Sequence, residues 1–342
     1  MSDELCSIVI ATYKNGEMLR ECLESIVDCL GPIDDGNYEI VCVVNGAQFQ
    51  WTNSLVGPLR GVRLIESAIN LGFSGGYNLA ARHSRGKYIV LLNDDTIVQP
   101  NWLRPLVEAV EALPRVGVVG SCNLSMDGTI EEAGSVVFSD GQTFGVGRGL
   151  PGDSMEWDFV RDVDYCSASS ILVTREAWEA VGGLDESFHP AYHEDVDLCM
   201  RIRAAGYRIV YEPRSKVMHH VSQSTDLSFR RLLMKRNREI PLRRFVNKFR
   251  ENVAPPYRGD DVHRHVERAA QRARRMRRQV LLVDDLLPSS GIGAGFSRPL
   301  QMLHDLADAH EAVTIAPTYI AERTTDVLRD LGVRVVEGPI ET

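Results

Sequence analysis

The segment 88–96 limits the fold of this chain more than any other part of the sequence. Its first five residues form an unbroken apolar run, and Asn93, Asp94 and Asp95 follow directly. Such a run predicts a strand that is buried on both faces, as in a parallel sheet. Ligands of open α/β sheets bind at the carboxyl ends of strands, and oxygen atoms placed there suit Mg²⁺ or Mn²⁺ holding a diphosphate. The alternative is an Asp-rich turn that caps the next helix.

Strand and helix patterns alternate over the first 225 residues. Residues 7–11, 38–44 and 63–65 have the composition of buried strands, and helical apolar spacing lies between the first two. Strands separated by helices predict an α/β fold with a mainly parallel sheet and right-handed crossovers. Such a sheet has a crevice at the carboxyl ends of its strands.

A glycine-rich segment precedes the strand at residues 88–92. It reads Asn70-Leu71-Gly72-Phe73-Ser74-Gly75-Gly76-Tyr77-Asn78 and leads into a helical pattern. Glycines allow a ligand to approach the backbone closely, and a helix N-terminus favours phosphate. The segment lacks the spacing of a dinucleotide fingerprint, so a tight strand-to-helix turn is the alternative.

A second acidic cluster lies about a hundred residues further on. Glu194, Asp195 and Asp197 open a predicted helix, and a later strand is followed by His219 and His220. Acids at this position are often only favourable charges at a helix N-terminus. A histidine on the same rim as a strand that ends in carboxylates is a candidate metal ligand.

The positive charge of the chain is concentrated in one segment. Lysines and arginines exceed acidic residues by 12 in residues 230–278, whereas the whole chain carries −9. Pro241 stands where a helix would begin, and an apolar stripe follows at helical spacing: Leu242, Phe245, Val246 and Phe249. This pattern predicts contact with anionic lipid or a lipid-pyrophosphate acceptor. The alternative is a helix that packs on the first domain and leaves its charges in water. Nucleic acid is a less favoured partner, because no aromatic residues are interleaved with the arginines.

The seven cysteines and the apolar runs bear on location. The cysteines are odd in number and form no Cys-x-x-Cys pair: Cys6, Cys22, Cys29, Cys42, Cys122, Cys166 and Cys199. We expect reduced, buried side chains rather than disulfides or a zinc site. With no leader pattern and no run of about 20 apolar residues, we expect a cytoplasmic protein, peripheral at the inner face of the plasma membrane if residues 230–278 bind lipid.

These stretches together resemble a known family. From about residue 5 to about 225 the chain looks like a family 2 glycosyltransferase of the A-type nucleotide-sugar-binding fold, in the rhamnosyl- and galactofuranosyl-transferring branch. The matching stretches are 7–13, 70–78, 91–96, 182–186, 193–198 and His219, in this order.

The resemblance implies roles for particular residues. Asp195 would be the catalytic base and Glu194 would orient the base or the acceptor, with inversion of configuration. Asp95 would hold Mn²⁺ or Mg²⁺ together with Asn93 and His219, or with His220 in place of His219. The donor would be bound by Ala11, Thr12, Tyr13, Asn45, Asn70, Gly72, Phe73, Gly76, Asn78, Asn93 and Asp94.

The sequence departs from the family at the second strand. Val44 stands where family members commonly carry an aspartate that accepts a hydrogen bond from the pyrimidine base. A valine cannot accept that bond. Three readings follow: Asn45 and the backbone of residues 11–13 recognise the base, the nucleotide is not uridine or thymidine, or the domain has lost activity. The stretch 166–170 also departs from the family's usual Gly-Ala, which leaves acceptor specificity open.

The last residues begin a new α/β pattern. Strands are predicted at 279–285, 312–316 and 333–336, with helices near 300–306 and 327–331 and a glycine loop at 291–295. This segment resembles the first part of a B-type, family 4-like glycosyltransferase domain, a partial Rossmann-like βαβαβ unit; a small accessory domain is the alternative. The predicted organisation is a catalytic domain 1–229, a basic helical extension and linker 230–278, and the partial unit 279–342.

Two functions remain in view from the sequence. The first is an inverting, metal-dependent glycosyltransferase that moves a sugar from a nucleotide-diphosphate donor to a hydroxyl of a cell-surface glycan or lipid-linked acceptor. The second is an inactive nucleotide- or glycan-binding scaffold module within a larger glycan-assembly protein. Metal-dependent affinity for a nucleoside diphosphate distinguishes them.

Overall fold

The computed structural model describes most of the chain. The described residues are 6–31, 38–46, 61–220, 226–256, 261–274, 279–286, 297–308, 312–319, 328 and 333–335.

One half of the central sheet is parallel, as the apolar runs predict. Its strands are β1 (Cys6–Thr12), β2 (Tyr38–Asn45), β3 (Val62–Ser67) and β4 (Tyr88–Leu92), in the order β3-β2-β1-β4. Helices α1 (Gly16–Leu30) and α2 (Gly72–Arg82) cover it. Every residue of β2 and β4 is buried, which explains why these strands are predominantly apolar rather than alternating.

The other half is mixed in direction, so the prediction of a mainly parallel sheet holds only in part. Its strands are β5 (Thr96–Val98), β6 (Val116–Ser125), β7 (Ile130–Ala133), β10 (Arg161–Asp162), β11 (Ser170–Thr174) and β12 (Arg208–His219). Strand β11 lies antiparallel between β4 and β6, whereas β12 runs parallel to β6. An apolar run predicts burial but not direction, because direction depends on how the connections cross the sheet. A separate hairpin consists of β8 (Ser135–Val137) and β9 (Thr143–Gly145).

Each face of the sheet carries its own apolar core. Helices α1 and α3 (Leu103–Ala112) cover one face, and α2, α4 (Arg175–Val181) and α5 (Glu194–Ala204) cover the other. Successive residues of β4 alternate between the two cores, as the pleat requires. The fully buried Trp102 donates its indole N–H to Ser170 Oγ at 2.9 Å, which ties the start of α3 to β11.

The basic segment has a different helical structure from the one predicted. Helix α6 (Leu227–Arg244) begins at the N-cap Asp226 and contains Pro241 in its interior, so the prediction that Pro241 starts a helix is wrong. The helix is interrupted at Phe245, and the chain continues as α7 (Val246–Arg250). This break explains why residues 242–249 do not share one apolar face: Phe249 is buried whereas Val246 is 42% exposed.

Helix α6 is bound to the sheet domain by buried polar contacts. Asn237 is fully buried, and its Nδ2 lies 2.9–3.0 Å from the carbonyl oxygens of Phe188, Ala191 and Tyr192. Arg244 lies within hydrogen-bond distance of Asp197 and Asp185. The predicted boundary between residues 229 and 230 therefore falls inside a helix that holds the segment in front of α5.

The last described elements form a small parallel sheet of β13 (Gln279–Leu286), β14 (Ala312–Tyr319) and β15 (Arg334–Val335). Helix α8 (Val262–Arg274) precedes it, and α9 (Ser297–Asp308) connects its first two strands. The predicted glycine loop at 291–295 and most of the predicted helix at 327–331 lie outside the described residues. The identity of this unit as a partial B-type domain stays a prediction.

The structure shows the state of the cysteines and the character of the described helices. The seven cysteines are free thiols, and six of them are buried, as expected for small apolar side chains. Within the described ranges, no helix combines the length and the apolar character that a membrane crossing needs.

Candidate active site

Hydrogen bonds with Tyr77, Ser169 and Thr96 fix the turn after β4. Tyr77 of α2 is buried, and its hydroxyl lies 2.8 Å from the Leu92 carbonyl oxygen and 3.1 Å from Asn93 Oδ1. The Asn93 N–H donates to the Ser169 carbonyl at 2.9 Å, and the Thr96 hydroxyl donates to the Asn93 carbonyl at 2.7 Å. This network fixes the direction in which the two following carboxylates point.

Asp94 faces the end of β1. It is buried, and Asn15 Nδ2 lies 3.4 Å from its Oδ1. Burial, with the neighbouring charge of Asp95, raises the pKa of Asp94 to about 7, although the nearby polar groups of Thr12, Asn15 and the Tyr13 backbone oppose the rise. The other carboxylate oxygen, Oδ2, accepts no hydrogen bond from the described residues. Asp94 therefore presents an unpaired oxygen beside Thr12 and Tyr13, where the donor was predicted to bind.

Asp95 pairs with the histidine at the end of β12. Its Oδ1 lies 3.2 Å from Nε2 of His219, close enough for a strong charge interaction but not aligned as a hydrogen bond. Burial alone would raise the pKa of Asp95, but the interaction with His219 outweighs it and lowers that pKa. The prediction left His219 and His220 as alternatives. The His220 ring lies 3.8 Å from Glu21 instead, and only its backbone N–H reaches the Asp95 carbonyl, at 3.0 Å.

The surroundings of His219 favour positive charge. Its Nδ1 lies 2.9 Å from Glu131 Oε2, so an acidic group flanks each ring nitrogen. Burial opposes the charged form, but Asp95 and Glu131 outweigh it and raise the pKa of His219 to about 10. A position that stabilises a proton between two carboxylates also suits a divalent cation.

The residues around Asp95 fit part of a metal site. Asp95 Oδ1 and Asp94 Oδ2 are buried acceptors that receive no hydrogen bond, and imidazole and carboxylate are both ligands of Mn²⁺. Within the described parts of the chain, no three His, Cys, Asp or Glu side chains are arranged so that all of them could hold one metal ion. Asn93 Oδ1 is already in contact with the Tyr77 hydroxyl. A cation held here by Asp95 and His219, as predicted, would need further ligands from a diphosphate or water.

The predicted base stands at the N-terminus of α5. Asp195 Oδ1 accepts the N–H of Val196 at 2.8 Å. Burial raises the pKa of Asp195 to about 6, while hydrogen bonds from the backbone of Val196 and Ala168 limit the rise. Burial, followed by the charge of Asp195, raises the pKa of Glu194 well above its usual range. Burial therefore raises the pKa of both acids, and the neighbouring charge of Asp195 adds to the rise at Glu194.

The two predicted donor-binding amides have structural partners. Asn45 donates to the Gly72 carbonyl at 2.8 Å and accepts the Leu71 N–H at 2.7 Å. Asn78 holds the Leu184 backbone from both sides, at 2.8 and 3.0 Å. They fix the start of α2 and the loop before α5; direct contact with a donor stays a prediction for both.

The glycines of α2 are required by protein packing. Gly72 has φ +73°, and a Cβ there would lie 2.8 Å from the Pro190 carbonyl oxygen. A Cβ at Gly76 would lie 2.9 Å from the Cβ of Ala11 on β1. The tight-turn alternative therefore accounts for these glycines without a ligand, while Asn70 folds back on the Gly72 N–H at 2.9 Å and Phe73 packs on Tyr77.

The far side of the crevice is formed by the ends of β1 and β2. Tyr13 is exposed beside Gly46, and the Lys14 ammonium lies 5.0 Å from its ring centroid. Val44 is buried within β2 and offers no acceptor to a base. Exposed Tyr13 and Lys14 are therefore the side chains near this edge that a nucleotide can reach.

Comparison with known proteins identifies the region that carries this site. Residues 7–143 match the model "Glycosyl transferase family 2", and residues 88–240 match the model "Glycosyl transferase family group 2". Together the two matches span residues 7–240, and this matched region is called the glycosyltransferase domain below. The domain contains every predicted catalytic, donor-binding and metal-binding residue.

Relatives of this glycosyltransferase domain occur in several bacteria. The chain is 36% identical over 231 residues to an uncharacterized protein of Sinorhizobium fredii, covering 64% of this chain and 25% of that protein. It is 28% identical over 228 residues to the O-antigen biosynthesis protein RfbC of Myxococcus xanthus, covering 64% and 17%. The Mycobacterium tuberculosis N-acetylglucosaminyl-diphospho-decaprenol L-rhamnosyltransferase is 27% identical over 247 residues, covering 66% and 78%. The chain thus spans a quarter or less of the length of the first two relatives.

Solved structures show the same fold for the glycosyltransferase domain. GalNAc-T7, crystallised with UDP, GalNAc and Mn²⁺, superposes with a TM-score of 0.52 at 15% identity, over 63% of this chain and 44% of that one. Staphylococcus aureus TarS 1–349, in complex with UDP-GlcNAc, gives 0.50 at 15% identity, over 65% and 60%. The A-type nucleotide-sugar fold predicted from the sequence is confirmed.

The sequence did not reveal three polar residues that lie near the candidate site. Glu131 and Glu132 lie on β7, and Tyr77 supports the turn after β4. Glu132 is buried and accepts the Ser167 N–H at 2.8 Å; burial, with the charges of Asp195 and Glu131, raises its pKa to about 7. The only available signal was two adjacent glutamates after the Gly128 turn. Strand β7 has too few apolar residues to be predicted from its pattern.

Proposed function

We propose that the chain is an inverting glycosyltransferase that moves a sugar from a nucleotide-diphosphate donor to a hydroxyl of a lipid-linked or growing cell-surface glycan. The observation that carries the proposal is the arrangement of carboxyl groups around the crevice. Asp195 has a pKa of about 6 and Glu194 stays protonated beside it, while Asp95 is ionised and paired with His219. The relative named for transfer of rhamnose to a diphospho-decaprenol sugar supports this class of acceptor.

Asp195 acts as the base. A carboxylate with a pKa near 6 is ionised at neutral pH and is still basic enough to take a proton as the acceptor hydroxyl attacks the anomeric carbon. Attack on the face opposite the leaving diphosphate gives inversion. The protonated Glu194 has an oxygen, Oε2, that accepts no hydrogen bond from the described residues, and we assign it to orienting the acceptor.

Asp95 and His219 hold the cation. When bound, Mn²⁺ or Mg²⁺ supplies positive charge that stabilises the leaving diphosphate. The chain contributes the geometry of the pair, since the turn after β4 fixes Asp95 and Glu131 contacts the other nitrogen of His219. Asp94, Thr12 and Tyr13 form the neighbouring edge, which we assign to the donor.

The exposed side of α6 is the part of the basic segment available to a lipid surface. Phe229 is 49% exposed and Leu232 61%, and the helical spacing places exposed Lys235 and Arg243 on the same side as Leu232. Phe249 is buried and cannot insert. We therefore move the predicted membrane contact from the stripe at 242–249 to this side, which would place a lipid-linked acceptor near the loop that α6 holds in front of Asp195.

A panel of nucleotide sugars with Mn²⁺, assayed for transfer and hydrolysis by mass spectrometry, tests activity and donor identity together. We expect turnover of at least one donor, absent without a divalent cation. An inactive scaffold module would give no product with any of them.

Calorimetry separates the metal role from catalysis. Asp95→Ala should abolish Mn²⁺-dependent binding of a nucleoside diphosphate while circular dichroism stays unchanged, because the residue lies at the crevice rather than in an apolar core. His219→Ala should weaken binding less, since Asp95 remains. Unchanged Mn²⁺-dependent binding in the Asp95 variant would remove Asp95 from the metal site.

A further inference from the structure

Glu131 contacts the nitrogen of His219 that faces away from Asp95. The distance from Glu131 Oε2 to Nδ1 is 2.9 Å, and the opposite nitrogen, Nε2, lies 3.2 Å from Asp95 Oδ1. The three side chains are 12–14% exposed, so water has little access to either contact. They lie on three separate segments: β7, the end of β12 and the turn after β4.

The chemistry of imidazole gives this contact a consequence. A histidine can donate the lone pair of Nε2 to a metal only when its remaining proton is on Nδ1, and that proton needs an acceptor. A carboxylate at Nδ1 fixes the tautomer, holds the ring orientation and makes Nε2 a stronger donor. Among the described residues, Glu131 is the group in contact with Nδ1 of His219.

We propose that Glu131 is the positioning residue of the metal pair: it accepts the Nδ1 proton of His219 and thereby presents Nε2 to a divalent cation beside Asp95. The inference rests on the proposed function, because it assigns Glu131 to the same metal site. Glu131 acts through His219 and touches neither the donor nor the acceptor.

The chain provides a matched control one residue away. Successive residues of a strand point to opposite faces, and Glu132 accepts the Ser167 N–H at 2.8 Å rather than contacting His219. Glu132→Gln therefore removes a buried carboxylate from the same strand without touching the Nδ1 contact.

Mn²⁺ affinity of the full chain is the first test, measured by electron paramagnetic resonance with MnCl₂ alone and with inorganic pyrophosphate. Loss of a hydrogen-bond partner of a ligating histidine typically lowers metal affinity about 10–100-fold. We expect a loss of that size in Glu131→Ala. We expect a smaller loss in Glu131→Gln, whose amide oxygen can still accept the Nδ1 proton, and no change in Glu132→Gln.

The second test needs no metal. In ¹⁵N-histidine-labelled protein, the Nδ1 proton of His219 should give a strongly downfield NMR signal in the wild type, a weaker shift in Glu131→Gln and no such signal in Glu131→Ala.

The outcomes separate this inference from the proposed function. Wild-type protein that binds no Mn²⁺ in either condition would overturn the metal site and Glu131's role with it. If Asp95→Ala abolishes binding but Glu131→Ala binds Mn²⁺ like the wild type, only the inference about Glu131 is overturned. An equally large loss in the Gln and Ala variants would make Glu131 a direct ligand or a source of charge, which also overturns the positioning role.

Discussion

At the scale of single residues, the carboxyl groups of the site differ because their surroundings differ. Asp195 accepts backbone hydrogen bonds that stabilise its charge. Glu194, one residue earlier, is buried, and its Oε2 accepts no hydrogen bond from the residues that the structure describes. Asp95 has a cationic partner, and Asp94 has polar donors but a like charge beside it. These differences are the basis for the proposal that identical functional groups serve as base, proton holder and cation ligand within one crevice.

The base can be tested through pH. Because the ionised form of Asp195 is the reactive one and its pKa is about 6, transfer should rise as pH increases through 6 and then level off. Asp195→Asn should keep Mn²⁺ and diphosphate affinity but lower the transfer rate roughly a hundredfold or more. The residual transfer rate of this variant should no longer rise as the pH increases through 6. Initial rates at saturating donor measure both effects, and a near wild-type rate would move the base to another group, Glu194 first.

At the scale of elements, α6 supports the loop in front of α5 through a buried amide. Asn237 Nδ2 is in contact with three carbonyl oxygens, and Arg236 donates to its Oδ1 at 2.7 Å. The loop ends at His193, whose φ of 72° turns the chain into the helix that carries Asp195. The position of the base thus depends on a residue more than forty positions away in sequence.

Replacing that amide should loosen the loop. Asn237→Ala leaves buried carbonyls without a donor, so we expect the free energy of unfolding to fall by about 2–3 kcal/mol and the transfer rate to fall with it. Urea denaturation measures the first effect. Asn247→Ala, an exposed asparagine on α7, is the matched control and should unfold like the wild type. Equal stability of the two variants would mean that water replaces the amide.

The ion pairs of Arg244 predict a pH dependence of stability. Burial would raise the pKa of Asp185, but the Arg244 guanidinium 2.8 Å away and hydrogen bonds from Ser187 hold it at about 2. Because this pKa is below that of the unfolded chain, about 4, the pair stabilises the fold at neutral pH, and this stability is lost as pH falls from about 4 towards 2. Arg244→Gln should lower the free energy of unfolding at pH 7 and make that free energy change less as the pH falls through this range. Urea unfolding at a series of pH values measures both effects. A titration parallel to that of the wild type would contradict it.

The elements differ in how far the sequence predicts them. Strands β1, β2 and β4 are predominantly apolar because both of their faces are buried, so the pattern identifies them directly. Strand β7 contains two glutamates and could not be identified in this way. The start of α6 was missed because the apolar residues of its first turns, such as Leu227, Phe229 and Leu233, are not confined to one face of the helix, and a proline inside a helix normally indicates a boundary.

The candidate site divides in the same way. Asp95 and His219 were brought together by the family resemblance, and the structure places them in contact. Glu131 could not be predicted, because its contact with His219 joins residues 88 positions apart on β7 and β12, and the sequence does not encode locally that both strands pair with β6. Contacts of this kind arise from sheet register rather than from a motif.

At the scale of the whole molecule, positive charge and exposed apolar side chains occur together on one side of α6. We expect the protein to sediment with vesicles that contain anionic lipid at low salt and to be released at high salt, since each Lys or Arg near the surface contributes about 1 kcal/mol and is screened. A variant with Phe229→Ser and Leu232→Ser should bind more weakly. Met126→Ser, at another exposed apolar side chain, is the control. Absence of sedimentation at low salt would make α6 a structural support only.

The contacts of the basic segment also decide which part of the chain can fold on its own. Beyond α6, Asn252 donates to the Val137 carbonyl at 2.6 Å, and Val266 and Ala269 of α8 are buried in the same apolar core as α5. A fragment ending at residue 229 would lose these contacts, the Asn237 amide and the Arg244 guanidinium that accompanies Asp197 at zero exposure. We therefore expect that a segment which recombination could move into another protein without losing its fold extends at least to residue 270.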